Sequence, residues 1–275
     1  MSNSLALKKF AEAREHYLAR RFDEARATAL VYRKTIDYKH FWQSDRREPA
    51  LPEISVVIVS FGTQTELLDC LGAVLSQQGP RFEIILVDNG NNEEIHDKLA
   101  ELPILRINPP VNLLPSEGRN VGAHFARSAC LVFLDDDALM GPGYLDAAVK
   151  AMADTRCLGL RGRIQPKTPT AVPPPPHYDL GDSPVPSEFN LEGNMVIGTA
   201  DFVTLGGFDP LMFGHEGKAL THHGRIRFPK KTIQYWPELV IQHDWAEAAD
   251  LLKKTERQLK NEASWQALAA RKKEK

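Results

Sequence analysis

Cys130-Leu131-Val132-Phe133-Leu134-Asp135-Asp136-Asp137 is the stretch on which the reading of this chain turns. A short, unbroken apolar run fits a strand buried on both faces, and here three carboxylates follow directly at its end. Like charges at that spacing repel, and a carboxylate leaves water at high cost unless it is paired or binds a metal. Two readings follow. One is a solvated acidic turn that caps the next helix, with Gly141-Pro142-Gly143 as loop. The other is an oxygen-rich site for Mg²⁺ or Mn²⁺, at the edge where open α/β sheets hold their ligands.

Working outward from this stretch, strand and helix patterns alternate, as in a mostly parallel sheet covered on both faces. Apolar runs at 54–59, 82–87 and 104–108 predict strands. Helical spacing at 66–76 and 117–129 predicts the helices between them. A further strand is expected at 157–165, and regular structure at 193–198, 201–205 and 232–243, the last an apolar strand ending at His243. A final helix is expected over 246–270. Prolines crowd 166–186, including Pro173-Pro174-Pro175-Pro176, so that segment reads as a long exposed loop.

The chain has 275 residues, 43% of them hydrophobic, which suffices for one large α/β domain with small appendages. A formal net charge of -2 gives no electrostatic reason to expect nucleic acid. Cys70, Cys130 and Cys157 sit in apolar stretches without CxxC spacing and read as core residues of a protein from a reducing compartment. No apolar run approaches the ~20 residues that span a bilayer, and the start does not read as a signal peptide. A cytoplasmic protein is expected. Peripheral attachment to the inner face of the membrane stays open through the basic end Arg271-Lys272-Lys273-Glu274-Lys275.

Residues 5–34 read as two short helices, with Leu7, Phe10, Ala11, Tyr17 and Leu18 on one face and Phe22, Ala25, Ala29 and Leu30 on the next. The phrase from Tyr17 to Ala25 resembles one helical hairpin of a tetratricopeptide-type repeat. A single unit cannot bury its own face, so residues 1–44 must dock on the main domain or on a protein partner. Ser44-Asp45-Arg46-Arg47-Glu48-Pro49-Ala50-Leu51-Pro52 reads as the linker that follows. The expected division is 1–48 for hairpin and linker, 49–245 for the α/β domain, and 246–275 for a C-terminal helix and basic tail.

Gly118-Arg119-Asn120-Val121-Gly122 reads as a helix entry, whose guanidinium and free N–H groups suit an anionic or polar ligand. Neither GxGxxG nor GxxxxGK[ST] occurs, which argues against a dinucleotide fold or a P-loop. Taken in order, five motifs resemble the inverting family 2 glycosyltransferases of GT-A fold. They are the run from Ile54 to Ser60-Phe61, Val87-Asp88-Asn89-Gly90, the Gly118 segment, Phe133-Leu134-Asp135-Asp136-Asp137, and Gly206-Gly207-Phe208-Asp209 with Phe213-Gly214-His215-Glu216. In that fold a nucleotide-binding half, about 53–140 here, precedes an acceptor-binding half, about 141–245.

The resemblance implies roles residue by residue. Asp88 would hydrogen-bond the nucleobase beside Ser60 and Phe61, and Asp135 and Asp136 would lie near the ribose and sugar. Asp137 would ligate the divalent ion, Mn²⁺ or Mg²⁺, on the diphosphate, with Arg119 assisting on the donor side. Glu216 would be the general base, and His243 at the end of an apolar strand a further metal ligand. Glu192, His215 and Trp236 would face the acceptor. Glu216 also reads as a helix N-terminal acid favoured by the macrodipole, and His243 as a structural strand-end residue.

His215 stands where the family carries an acid, Ala219 where an acid often follows, and Gly62 where an asparagine often ends the first motif. The function implied is a metal-dependent inverting transfer of a sugar from a nucleotide-diphosphate donor, a UDP-sugar first, to a saccharide or lipid-linked glycan. Cell-surface polysaccharide synthesis is the setting implied. The alternative is a non-catalytic glycosyltransferase-like binding subunit of a glycan-synthesis complex. A nucleotidyltransferase is disfavoured by the lack of a Gly-rich basic loop near residue 60.

Overall fold

The computed structural model describes residues 3–62, 65–90, 95–169, 173–190 and 192–245, and the helix and tail expected over 246–275 lie outside them. The chain opens with α1 (Ser4–Leu18) and α2 (Phe22–Thr35), followed by the short strand β1 (Trp42–Asp45). The first alternating units are β2 (Ile54–Ser60), α3 (Thr65–Leu75), β3 (Phe82–Asp88), α4 (His96–Ala100), β4 (Leu105–Asn108), α5 (Leu114–His124) and β5 (Cys130–Asp135). Then come β6 (Leu139–Met140), α6 (Tyr144–Met152), β7 (Cys157–Gln165), β8 (Val185–Pro186), β9 (Asn194–Gly198), α7 (Thr199–Leu205), α8 (Glu216–Arg227) and β10 (Thr232–Gln242).

These strands form one sheet in the order β1-β4-β3-β2-β5-β9-β7-β10-β6, with β8 paired to β10. The block β4-β3-β2-β5 is parallel, as the alternating pattern requires, and β7 also runs parallel to β10. Antiparallel β9 joins the two halves by pairing with β5 on one side and β7 on the other. Each face of the sheet carries its own apolar layer. Leu71, Leu86, Leu134 and Tyr144 belong to one, and Val57, Ile85, Val121 and Phe133 to the other.

The N-terminal hairpin buries its face on its own domain, since Phe10, Ala13, Ala29 and Tyr32 belong to the same apolar layer as Val57 and Ile85. The buried stripe of α1 is Ala6, Phe10, Ala13 and Tyr17, at helical spacing. Leu18 and Leu30, expected on the docking faces, are each 57% exposed. Small alanines at the contact let the helices lie close, which sets the leucines off the seam.

Three expected boundaries shift. The linker begins later, because residues 42–45 add an antiparallel edge strand to β4. It is also anchored: Arg47 donates to the buried Glu83 at 2.7 Å, as does Arg127 at 2.8 Å. Helix α5 starts at Leu114, with proline in its first turn, and ends at His124, so the motif Gly118-Arg119-Asn120 lies one turn inside it. The free N–H groups of the helix start therefore belong to residues ahead of Gly118. The reason for the two glycines is steric: a Cβ at Gly118 would sit 2.6 Å from Val59 and one at Gly122 2.3 Å from Val57, so α5 rests directly on β2. No helix among the described residues is long and apolar enough to cross a membrane.

Candidate active site

Parallel strands β2, β3 and β5 end together, with Ser60 opposite Asp88 and Val59 opposite Asp135. Side chains alternate along a strand, so the acids ending β3 and β5 serve different parts of this edge. Asp88 is fully buried, and its Oδ2 accepts from Arg106 Nε at 3.0 Å and from Nη2. Its Oδ1 accepts from the Gly90 N–H at 3.2 Å. Ser60 is buried beside it, while Phe61 is 61% exposed, its ring lying against Gly90. A cavity of about 450 Å³ opens on the Arg106 side, lined by Trp42, Arg46, His96 and Asn108 among others. Arg106 escaped the sequence reading. The available signal was an arginine inside a four-residue strand with buried neighbours, where a charge needs a partner.

On the other side of this edge, Arg119 reaches from α5 between two acids. Its guanidinium donates to Asp135 Oδ1 at 2.7 Å and to Glu216 Oε1 at 3.0 Å. Burial disfavours the Arg119 charge, but Asp135, Glu216 and Glu192 outweigh that cost and hold it above its ordinary range. Glu216 is the first residue of α8 and only 2% exposed, and its other oxygen accepts from the Gly214 N–H. The preceding His215 has φ of 64°, a left-handed conformation uncommon for a residue with a side chain.

Glu192 joins the same cluster through the Gly217 N–H, at 2.7 Å. Burial and the neighbouring Glu216 charge push its carboxyl up to about 7, against the pull of Arg119 and that N–H. The backbone beside it runs hard against Asp135, since a Cβ at Gly193 would lie 1.9 Å from the carboxylate.

Next to this network stands a candidate cation site. One ligand atom each of Asp135, Asp137 and His243 lie within 4.8 Å of one another. His243 Nε2 sits 3.1 Å from Asp137 Oδ1. Burial works against the charge on both, yet their mutual contact wins, leaving Asp137 below and His243 above its ordinary range. The His243 Nδ1 is buried with no hydrogen-bond partner among the described residues, and Nε2 is the ring nitrogen that faces the acids. Two carboxylates and an imidazole fit Mn²⁺ or Mg²⁺ in chemical type. Asp136 is half-buried between the two acids.

The fold thus gathers Asp135, Asp137, His243, Arg119, Glu216 and Glu192 at one place, and puts Ser60 and Asp88 on adjacent strands. Trp236 is not among them. It projects from an irregularity in β10 and lines a separate cleft of about 280 Å³ with Arg163, Asp182 and Glu238.

An α/β sheet whose parallel strands end in such acids defines a class of fold, and the comparisons place the chain within it. Residues 55–202 match the model of glycosyl transferase family 2, and the chain belongs to that family. An uncharacterized glycosyltransferase of Haemophilus influenzae is 30% identical over 90 residues, covering 32% of this chain and 31% of the relative. Glycosyltransferase AglE of Haloferax volcanii is 25% identical over 136 residues, covering 47% and 45%. The chain therefore spans less than half of these relatives' length.

Among solved structures, TarS 1-349 of S. aureus superposes with a TM-score of 0.54 at 15% identity, over 67% of this chain and 60% of that one. GalNAc-T7, solved with UDP, GalNAc and Mn²⁺, gives 0.59 at 18% identity, over 73% and 45%. At these identities the likeness is one of fold, and the fold is GT-A.

Proposed function

We propose that this protein is a metal-dependent, inverting glycosyltransferase that moves a sugar from a nucleotide-diphosphate donor, a UDP-sugar first, to a saccharide or lipid-linked glycan acceptor in cell-surface polysaccharide synthesis. The observation that carries the reading is the meeting of the Asp135, Asp137 and His243 ligand atoms beside the Arg119–Glu216 pair. Support for the donor class comes from relatives of this fold: one TarS structure contains UDP-GlcNAc, and GalNAc-T7 was solved with UDP and Mn²⁺.

In this reading Asp137 and His243, with Asp135, would hold a divalent ion. A bound cation neutralises charge on the diphosphate as the bond to the sugar breaks. Asp88, anchored by Arg106 at the end of β3, would accept from an N–H on the nucleobase edge once that edge reaches it. Arg119 meets the donor's negative charge. Glu216, fixed by its contact with Arg119, would take the proton of the acceptor hydroxyl. The hydroxyl oxygen attacks the anomeric carbon, the electron pair of the broken bond leaves with the diphosphate, and attack from the opposite face inverts the configuration.

The test is Glu216→Gln. Transfer should fall by at least about a hundredfold, while metal-dependent donor binding persists. Full transfer activity in the variant would remove Glu216 from the role of base.

A further inference from the structure

The hairpin formed by α1 and α2 precedes the family-matched region, yet its Tyr32 bonds to the turn of α5 that carries Arg119. Tyr32 Oη and Tyr38 Oη both donate to Glu117 Oε1, each at 2.6 Å. The second oxygen of Glu117 accepts from Asn120 Nδ2 at 2.8 Å. Glu117 is completely buried. Such a carboxylate is tolerated only with its lone pairs occupied, and two of its three side-chain donors come from the N-terminal segment.

Glu117 belongs to the first turn of α5, and Arg119 follows two residues later. Residues two apart on a helix point to different sides, so one helix segment faces the hairpin with Glu117 and the acids with Arg119. The same turn carries two further ties. Ser116 Oγ donates to the Met212 carbonyl, and Asn120 both accepts from the Phe208 N–H at 2.9 Å and donates to its carbonyl at 3.0 Å. Beneath the helix lie Gly118 and Gly122, which touch β2 through backbone and supply no side chain to key its rotation. The polar side chains of Ser116, Glu117 and Asn120, together with the buried Val121, hold the rotation of α5 about its axis. Arg33 of α2 adds a contact by donating to the Gly206 carbonyl, in the segment leading to Glu216.

Resting on the function proposed above, we infer that Glu117, clasped by Tyr32 and Tyr38, is a positioning residue that aims Arg119 between Asp135 and Glu216. The N-terminal hairpin is thereby a working part of the transfer centre. A small rotation of α5 would take the guanidinium off one of its two acids. Misplacement of about 1 Å in a catalytic arrangement costs up to about a hundredfold in rate.

The experiment is a double-mutant cycle on the full chain. Tyr32→Phe/Tyr38→Phe and Glu117→Gln are each made in the wild-type and Arg119→Lys backgrounds. Turnover is measured with Mn²⁺ and whichever of the UDP-, dTDP- and GDP-sugars wild type uses fastest. In the wild-type background kcat should fall by about tenfold to a hundredfold, with donor KM changed by less than about twofold. In the Arg119→Lys background the same changes should cost less than about threefold, because the residue they act through is already altered. Equal losses in both backgrounds, or a lowered melting temperature with kcat intact, would overturn the inference.

Tyr38→Phe alone is the milder variant if the double change prevents folding. Amide hydrogen exchange over 114–124, with 65–75 as the internal control, reads the coupling without turnover. Protection should fall in 114–124 alone, and unchanged protection would overturn the inference even if wild type transferred no sugar. That last outcome would refute the proposed function separately.

Discussion

Replacing Arg119 with methionine keeps much of the side chain's length and removes the charge that two acids share. The expected cost can be worked from burial. Glu216 has a side chain only 3% exposed and would keep only the Gly214 N–H, whereas Asp135 is 38% exposed and can turn to water. Breaking a buried ion pair by removing one partner costs about 3–5 kcal/mol, while an exposed partner adds no more than about 1. Arg119→Met should therefore lose about 3–5 kcal/mol, nearly all through Glu216, and the melting temperature should drop by roughly 10 °C. Urea denaturation of the variant and of Arg119→Met/Glu216→Gln decides the point. The second change removes the stranded charge and should recover at least about half of the loss. If the single variant loses under about 1 kcal/mol, or the double variant is no more stable than the single, Arg119 does not hold Glu216 in the way described.

Glu192 gives a pH signature. Its folded value of about 7 lies above the ordinary 4.5, so it contributes stability below pH 4.5 that is lost as pH rises through 7. Urea midpoints from pH 4.5 to 8 should fall along that window, and Glu192→Gln should remove that part of the slope; identical slopes would count against the raised value. Gly122→Ala places a methyl 2.3 Å from Val57 Cγ1 and should cost about 1–3 kcal/mol by overpacking, checked by thermal unfolding. A relieving second change, Val57→Ala, should regain part of it, and a neutral Gly122→Ala would mean that α5 does not rest on β2 so closely.

Much of this architecture could be read from apolar runs and the acids that end them. Strands β2, β3 and β5 each pair a mostly hydrophobic run with a polar end, as the edge of an α/β sheet does. Asp137 and His243 were paired by the family resemblance, and the fold brings a ligand atom of each, with one of Asp135, within 4.8 Å of one another. Arg106, Trp42 and Glu117 were not legible, since their roles depend on partners 18 to 85 residues away and no local pattern encodes such a pairing. The hairpin's face was legible in part: Phe10, Tyr17, Ala25 and Ala29 are buried as expected, but Leu18 and Leu30 are exposed and Ala6, Ala13 and Tyr32 complete the face, because close helix–helix packing selects small residues that hydrophobicity alone does not rank first. Helix α5 was placed late because its glycines looked like an entry signal, when they serve close approach to β2.

The central claim is that the edge formed by Asp88, Asp135, Asp137 and His243 binds a sugar nucleotide through a divalent cation. Its most direct test is calorimetric titration of UDP, GDP and dTDP, with and without Mn²⁺, into wild type and Asp137→Ala. The account predicts that a nucleotide, UDP first, binds in the presence of Mn²⁺, weakly or not at all without it, and that Asp137→Ala abolishes the difference. Binding that ignores Mn²⁺ or survives in Asp137→Ala would contradict the cation site, and the failure of all three nucleotides to bind would turn the case toward a non-catalytic subunit.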